Sequence, residues 1–432
     1  MSFPHDFGRR GFIRLVAAAP LFGQMFAKNA FASAATALGK DTRQNVYTRL
    51  GVKTVINCRG TWTYLSGSLE FPEVQVAQRE ASEHFVNMFE LQHAASRRLS
   101  ELTGAEAGMV TSGAAGAMAS AAAACMAGTD PKHIWQLPDI NGLKHEVIMV
   151  GGRSAFDNAI RLTGAKLVLA NTPEELAGAI NKNTAMIYTT HLGAELEKEN
   201  AIAKKYAIPM LLDDAAGIPP IENIKLYARM GLDMYTFSGG KGLRGPQCSG
   251  LLLGRKDLIE AAMLNTSPWE GAVCRAMKVG KEEIIGLLAA VETWLKADLN
   301  ALNREWNARV ARIATLVRTV PGVETDISIP MDGNRYPTLY ISWDEEKWGY
   351  TVKDCVQMLR AGDPVIEVAG ADNPSIVPAV REGNPKPNAK EPKQRGKLEL
   401  VSSTIRPNEV FIVGQRLREL LGAARKAAPS SL

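Results

Sequence analysis

Between residues 109 and 253, short apolar runs alternate with segments of helical character, and this alternation restricts the fold more than any other feature of the chain. The runs are Met109-Val110-Thr111, Val147-Ile148-Met149-Val150, Leu167-Val168-Leu169, Met186-Ile187-Tyr188, Met210-Leu211-Leu212, Met234-Tyr235-Thr236-Phe237 and Leu251-Leu252-Leu253. Their uniform apolarity suits strands buried on both faces, which is the situation in a parallel sheet covered by helices. Between them, helices are expected in the alanine-rich stretch ending at Cys125, from Ala155 to Leu162, after the capping box of Thr172 and Glu175, and from Glu195 to Tyr206. The fold class is therefore α/β with a mostly parallel, doubly covered sheet. Upstream, Val74, Ala77, Ala81, Phe85 and Met88 recur at three- and four-residue steps from Pro72, with Gly104 past the end of the pattern. From about Lys278 a long helical stretch runs to about Val317, and short strands and helices follow. This predicts a large domain over residues 38–277 and a smaller α+β domain over residues 278–432.

Residues 1–37 read as a targeting segment rather than as part of the fold. Arg9-Arg10-Gly11-Phe12-Ile13-Arg14 precedes an apolar stretch from Leu15 to Phe26, and Ala30-Phe31-Ala32 offers a cleavage site. The order of these features is that of a twin-arginine export signal; the alternative is a basic arm on a cytoplasmic protein. With the signal removed, a chain of net charge +5 loses Arg9, Arg10, Arg14 and Lys28 against Asp6, which leaves too little positive charge to argue for nucleic acid. Cys58, Cys125, Cys248, Cys274 and Cys355 match no zinc or CxxC spacing, so no metal site is expected and the thiols read as small buried groups. Arg381, Lys386, Lys390, Lys393, Arg395 and Lys397, spaced by Pro and Asn, read as an exposed loop, with a basic partner-binding patch as the alternative.

Three local patterns carry chemistry. Ser238-Gly239-Gly240-Lys241-Gly242 follows the strand Met234–Phe237 directly. Flanking glycines let a flat ligand approach the backbone, and the carboxyl edge of a parallel sheet is where ligands bind. A desolvated lysine there has a lowered pKa and is an amine nucleophile. Taken alone, the same pattern reads better as a surface lysine in a glycine turn. Asp213 closes the apolar strand Pro209–Leu212, 28 residues before Lys241. A protonated pyridine nitrogen would partner such a carboxylate, and a turn or cap role is the competing reading. Thr111-Ser112-Gly113-Ala114-Ala115-Gly116 joins a strand to a helix, where free N–H groups make a phosphate cup; tight packing explains such a turn equally well. Together and in this order, the three are far more specific than any one of them.

Ser238 to Gln247 resembles the lysine motif of the selenocysteine-synthase-like pyridoxal 5′-phosphate enzymes, which include L-seryl-tRNA(Sec) selenium transferase and D-glucosaminate-6-phosphate ammonia-lyase. Asn57 to Ser68, Gly104 to Met118 and Lys278-Val-Gly-Lys-Glu-Glu283 are similar as well, so the resemblance extends over roughly residues 45–425. It implies a fold-type-I enzyme in which Lys241 holds the cofactor as a Schiff base and later moves the α-proton. It also implies that Asp213 pairs with the pyridine nitrogen and Ala215 packs on the ring. Gly113, Ala114 and Ala115 would hold the phosphate with the hydroxyl of Ser238. Arg153 and Phe156, just after the strand ending at Val150, are candidates for stacking on the ring. His191 is a further site candidate, and His145 reads as core or surface. For the substrate carboxylate, an arginine fork is needed, and Arg406, Arg275 and Arg153 are the candidates, with Lys278 beside Arg275.

These features imply an enzyme acting on a small amino acid or amino sugar acid by elimination, such as loss of ammonia. A selenium transferase is the alternative within the family; an export signal disfavours it, since charged tRNA is not expected outside the cytoplasm. A cofactor-binding protein without turnover is the alternative of another class, and it would need neither Lys241 nor Asp213. The expected location is the periplasm, the expected partners the twin-arginine translocase and at least one further copy of the chain.

Overall fold

The computed structural model describes residues 45–330, 335–370 and 396–428. The signal segment at residues 1–37 and nearly all of the basic run at 381–397 lie outside the described residues. The chain forms two units, Met1–Val55 and Ile56–Leu432. In the first, the side-chain oxygen of Asn45 accepts the N–H groups of Tyr47 and Thr48 and sets up the exposed 3-10 turn Thr48–Leu50.

The second unit is built on seven strands: β1 (Ala107–Thr111), β2 (Glu146–Val150), β3 (Lys166–Ala170), β4 (Thr184–Thr189), β5 (Met210–Asp213), β6 (Met234–Ser238) and β7 (Gly250–Gly254). Their spatial order is β1-β7-β6-β5-β4-β2-β3. The pairs β3/β2, β2/β4, β4/β5 and β5/β6 are parallel, whereas β7 runs antiparallel to both β1 and β6. The mostly parallel α/β sheet expected from the apolar runs is thus present. Leu251, Leu252 and Leu253 are fully buried, and burial of such a side chain is worth about 1.5–3 kcal/mol.

Helices cover both faces. The helix Gly113–Ala127 is buried almost all round, from Gly116 to Ala124 without a break, and it packs between the sheet and the helix Lys256–Leu264. On the other face, Lys281–Lys296 packs on Pro72–Ser82 and Met88–Thr103. Its Trp294 is buried, and the indole N–H donates to the carbonyls of Gly242 (2.9 Å) and Leu243 (3.0 Å), which fixes the loop that carries Lys241.

Several expected helices are divided. The pattern read from Pro72 toward Gly104 is two helices, because Asn87 accepts the N–H groups of Phe89 and Glu90 and starts a new one. Phe85 falls in the break and is fully exposed rather than on the packed face. The stretch expected up to Val317 is likewise split, with Asp298 capping Leu299–Val317 through the N–H of Ala301. The helix expected over Ala155 to Leu162 is only the turn Asn158–Arg161.

A second layer lies toward the carboxyl end. The antiparallel strands β8 (Glu324–Ser328), β9 (Thr338–Ser342) and β10 (Leu398–Val401) pack with the helices Leu299–Val317 and Val410–Ala427. Val310, Ile313, Leu339, Leu400 and Leu417 share this core with Ile56 and Cys58 from the amino-terminal end of the unit. In contrast, Ile284, Leu287 and Trp294 of Lys281–Lys296 belong to the core of the large sheet.

Candidate active site

Parallel register brings one edge of the sheet together. Met149 of β2 lies opposite Tyr188 of β4, Leu211 of β5 opposite Tyr188, and Asp213 opposite Thr236 of β6. Everything that follows a strand's carboxyl end, from Gly151, His191, Asp214 and Gly239 onward, therefore emerges on one side.

At that edge, the loop Ser238–Gly242 has no room for side chains. A methyl group at Gly239 would overlap Ser249, at Gly240 it would overlap Gln247, and at Gly242 it would overlap the carbonyl of Ile218. The amide and hydroxyl of Ser68 both donate to the carbonyl of Gly240, at 2.9 and 3.1 Å, and tie the segment Asn57–Ser68 to this loop. Lys241 projects from it, half-buried, with its Nζ 5.9 Å from the centroid of the Phe156 ring. Burial pushes the lysine pKa down from its usual value, and the carboxylates of Asp213 and Asp214 oppose the shift only in part. The neutral, nucleophilic amine is thereby favoured.

Asp213 Oδ2 accepts the hydroxyl of Tyr188 at 2.8 Å and Oδ1 accepts the N–H of Ala215 at 3.1 Å. Burial pushes its carboxyl up, against Tyr188, Lys241 and the Ala215 amide. Asp214 is buried beside it, its Oδ2 bound to the hydroxyl of Tyr227 at 2.6 Å and its pKa also raised by burial. Arg335 lies close enough to oppose that rise. The carbonyl of Ala215 accepts the N–H of Ser238 at 3.1 Å, so both of these residues flank Asp213 and Lys241.

Gly113 opens its helix with φ +71° and Ser112 makes no side-chain cap, which leaves the first-turn N–H groups of Gly113, Ala114 and Ala115 to a ligand. This start reaches the same edge because β7 is antiparallel: Gly250 is opposite Thr111 on one side and Ser238 on the other. A side chain at Gly250 would overlap the backbone of Gly113.

The arginines expected to bind substrate are all engaged. Arg153 forms a bidentate pair with the buried Asp157, Arg275 lies 3.7 Å from Glu270, and Arg406 donates to Glu409 at 2.9 Å. Lys278 is exposed, and His145 is held by the carbonyl of Leu143 at 2.8 Å. Two residues that local sequence patterns do not single out act on the site aspartates, and a third is buried in the segment Asn57–Ser68. Tyr188 is the penultimate residue of the buried strand β4. Arg335 lies near Asp214. Arg59 is buried, its guanidinium 5.6 Å from the Trp62 ring centroid and 5.8 Å from that of Tyr64, with its Nε unpartnered among the described residues. Among the described residues, no group of three or more His, Cys, Asp or Glu side chains is placed to hold a metal ion.

Pyridoxal 5′-phosphate fits this donor set. The desolvated Lys241 amine suits its carbonyl, and the phosphate suits the uncapped helix start. Asp213, buried and pushed toward protonation, lacks the full positive charge that a ring nitrogen would bring. A mostly parallel sheet presenting these groups at one edge defines a pyridoxal-phosphate enzyme of fold type I.

Comparison with known proteins gives the family. The model described as "SelA: L-seryl-tRNA selenium transferase" matches residues 88–316, and the chain belongs to this family. A D-glucosaminate-6-phosphate ammonia lyase of Salmonella typhimurium is 27% identical over 339 residues, covering 74% of this chain and 88% of that protein. A 5′-C-glycyluridine monooxygenase-decarboxylase of a Streptomyces species is 30% identical over 339 residues, covering 74% of this chain and 83% of that one. A solved structure of D-glucosaminate-6-phosphate ammonia-lyase superposes with TM-score 0.73 and 27% identity, covering 89% of this chain and all of its own.

Proposed function

We propose that this enzyme eliminates ammonia from a small amino acid or amino sugar acid, with Lys241 as the residue that holds the cofactor and moves the α-proton. The observation that carries the reading is the Lys241 amine, pushed toward its neutral form beside Asp213 at the sheet edge. The ammonia-lyase relatives, aligned over most of both chains, support it. When bound, pyridoxal phosphate supplies an electron sink for the pair left at the α-carbon. Asp213 would hold its ring nitrogen protonated, and Tyr188 keeps that carboxylate oriented. Ala215 would pack on the ring, with Phe156 or Arg153 facing it. Gly113, Ala114, Ala115 and Ser238 would bind the phosphate. For the substrate carboxylate, Arg406, Arg275 and Arg153 are the candidates by position, and each would share its present carboxylate partner. Screening amino acids and amino sugar acids, D-glucosaminate 6-phosphate included, should find at least one that releases ammonia and a keto acid. Transfer to seryl-tRNA without any such release would support the selenium-transferase alternative instead.

The same reading keeps a cofactor domain over residues 38–277 and a smaller domain over residues 278–432; a separate carboxyl-terminal core supports the division into two, while Lys281–Lys296 packs with the large sheet and Ile56 and Cys58 with the smaller core. It includes a homodimer or larger assembly. Phe85, Phe89, Trp269 and Trp135 are exposed, the Phe89 and Trp269 rings meet at 4.8 Å, and Gly271 seats the Trp135 ring beside them. An apolar patch of this kind suits a second copy of the chain. Light scattering on the active protein should give twice the chain mass or more; a fully active monomer would contradict this part.

Export completes the proposal. A cofactor bound only by the folded chain must be loaded before transport, and the twin-arginine route carries folded proteins. The enzyme is then periplasmic. Changing Arg9 and Arg10 together to Lys should retain the protein in the cytoplasm. Shortened protein still arriving in the periplasm would remove the twin-arginine translocase as its partner.

A further inference from the structure

His191 stands two residues beyond the end of β4, and its N–H donates to Thr189 Oγ1 at 3.0 Å. The helix Gly193–Tyr206 begins at once and buries Glu199 under the imidazole. Nδ1 and Glu199 Oε1 are 2.6 Å apart, and the other carboxylate oxygen is buried without a partner among the described residues. A carboxylate accepts only, so Nδ1 carries a proton and the reactive nitrogen is Nε2. A ring that also carries a proton on Nε2 is a cation, and the buried Glu199 carboxylate, one oxygen unpaired among the described residues, is its counter-charge. Solvent reaches the ring: its side chain is 34% exposed against 2% for Glu199.

Nε2 lies against Gly151, where any side-chain carbon would overlap the ring. Gly151 begins the loop that contains Ser154, a hydrogen-bond neighbour of the Tyr188 hydroxyl, and Phe156, whose ring faces Lys241 Nζ. One loop thus touches His191 at its start and Lys241 five residues later. An oriented imidazole with a buried carboxylate behind it, on the next strand but one from the lysine, has the parts of an acid–base dyad.

We propose that His191, oriented by Glu199, is the proton donor to the leaving group at the substrate's β-carbon. This rests on the elimination reading above. For a 2-amino-3-hydroxy acid, the α-hydrogen leaves as a proton to Lys241 Nζ, and its bonding pair becomes the second bond between the α- and β-carbons. The bond from the β-carbon to oxygen breaks with its pair on oxygen. That oxygen takes the proton from His191 Nε2 and departs as water; the enamine left takes up a proton at its β-carbon, and one water then displaces the nitrogen as ammonia to give the keto acid. Nothing is oxidised or reduced. Glu199 is a positioning residue: it accepts from Nδ1 and so sets Nε2 as the nitrogen that donates.

The test separates the two proton transfers. With D-glucosaminate, its 6-phosphate and serine of both configurations as probes, exchange of the α-hydrogen in D2O and keto-acid release are followed side by side by NMR. In His191→Gln, keto-acid release should fall about a hundredfold or more while exchange stays within a few-fold of wild type. Glu199→Gln should lower release less and leave exchange intact. Apart from turnover, the wild-type protein should show a downfield proton resonance from the Nδ1–H bond to Glu199 that both variants lose. If exchange and release fall together in His191→Gln, or if neither falls, His191 is not the donor. If the wild-type protein neither exchanges the α-hydrogen of any probe nor releases a keto acid from one, the elimination reading itself fails, whatever the variants do.

Discussion

Lys241→Ala should abolish turnover, with a loss on the order of ten-thousandfold or more, because one side chain serves as nucleophile toward the cofactor and as base toward the substrate. The fold should survive. Lys241 sits in a loop held by its backbone: the carbonyl of Gly240 is fixed by Ser68, and those of Gly242 and Leu243 by Trp294. Removing the amine also relieves a partly desolvated cation, so the melting temperature of the cofactor-free protein should not fall. Lys241→Arg keeps a cation but offers no neutral amine at working pH, and it should be equally inactive. Stopped assays for ammonia alongside thermal melts check both statements. Appreciable turnover in either variant would assign the chemistry to another residue.

Asp213→Asn should lose about a hundredfold or more in turnover, comparable to removing one charge-stabilising group from an active site. The substitution is clean, because an amide can satisfy both present bonds. Its oxygen can accept the Ala215 N–H, and its nitrogen can donate to the Tyr188 oxygen, since a phenol is donor and acceptor. The stability effect has the opposite sign. An aspartate whose pKa is raised by burial destabilises the fold at pH values above its ordinary range, where the unfolded chain is ionised and the folded site resists ionisation. Asparagine removes that cost, so the cofactor-free variant should be as stable as wild type or more so near neutral pH. Calorimetry of the cofactor-free forms together with turnover separates the two effects. Near wild-type turnover would remove Asp213 from its role beside the ring nitrogen.

The parts of the fold legible in the sequence are those set by local physics. Leu251–Leu253 and Met186–Tyr188 read as strands because strands covered on both faces need no polar alternation, and both are buried throughout. Lys241 and Asp213 stood out because glycines and an abrupt carboxylate interrupt apolar runs, and the register places them at one edge. The divided helices were hidden: Asn87 and Asp298 cap new helices inside patterns whose spacing continues across the break. Tyr188, Tyr227, Arg335 and Arg59 were hidden for another reason. Their partners are Asp213, Asp214 and Val368, from 13 to 309 residues away where a hydrogen bond joins them, and no local pattern encodes such a pairing. Arg153, Arg275 and Arg406 were visible as charges, but their pairing with Asp157, Glu270 and Glu409 follows only from the folded chain.

The central claim is that Lys241 holds the cofactor, and the most direct measurement is chemical. Purified protein is treated with borohydride, digested, and mapped by mass spectrometry for a pyridoxyl adduct. The account predicts a yellow protein whose absorbance bleaches on reduction and a single modified peptide containing Lys241. An adduct on a different lysine, or none in protein loaded with pyridoxal phosphate, would contradict it.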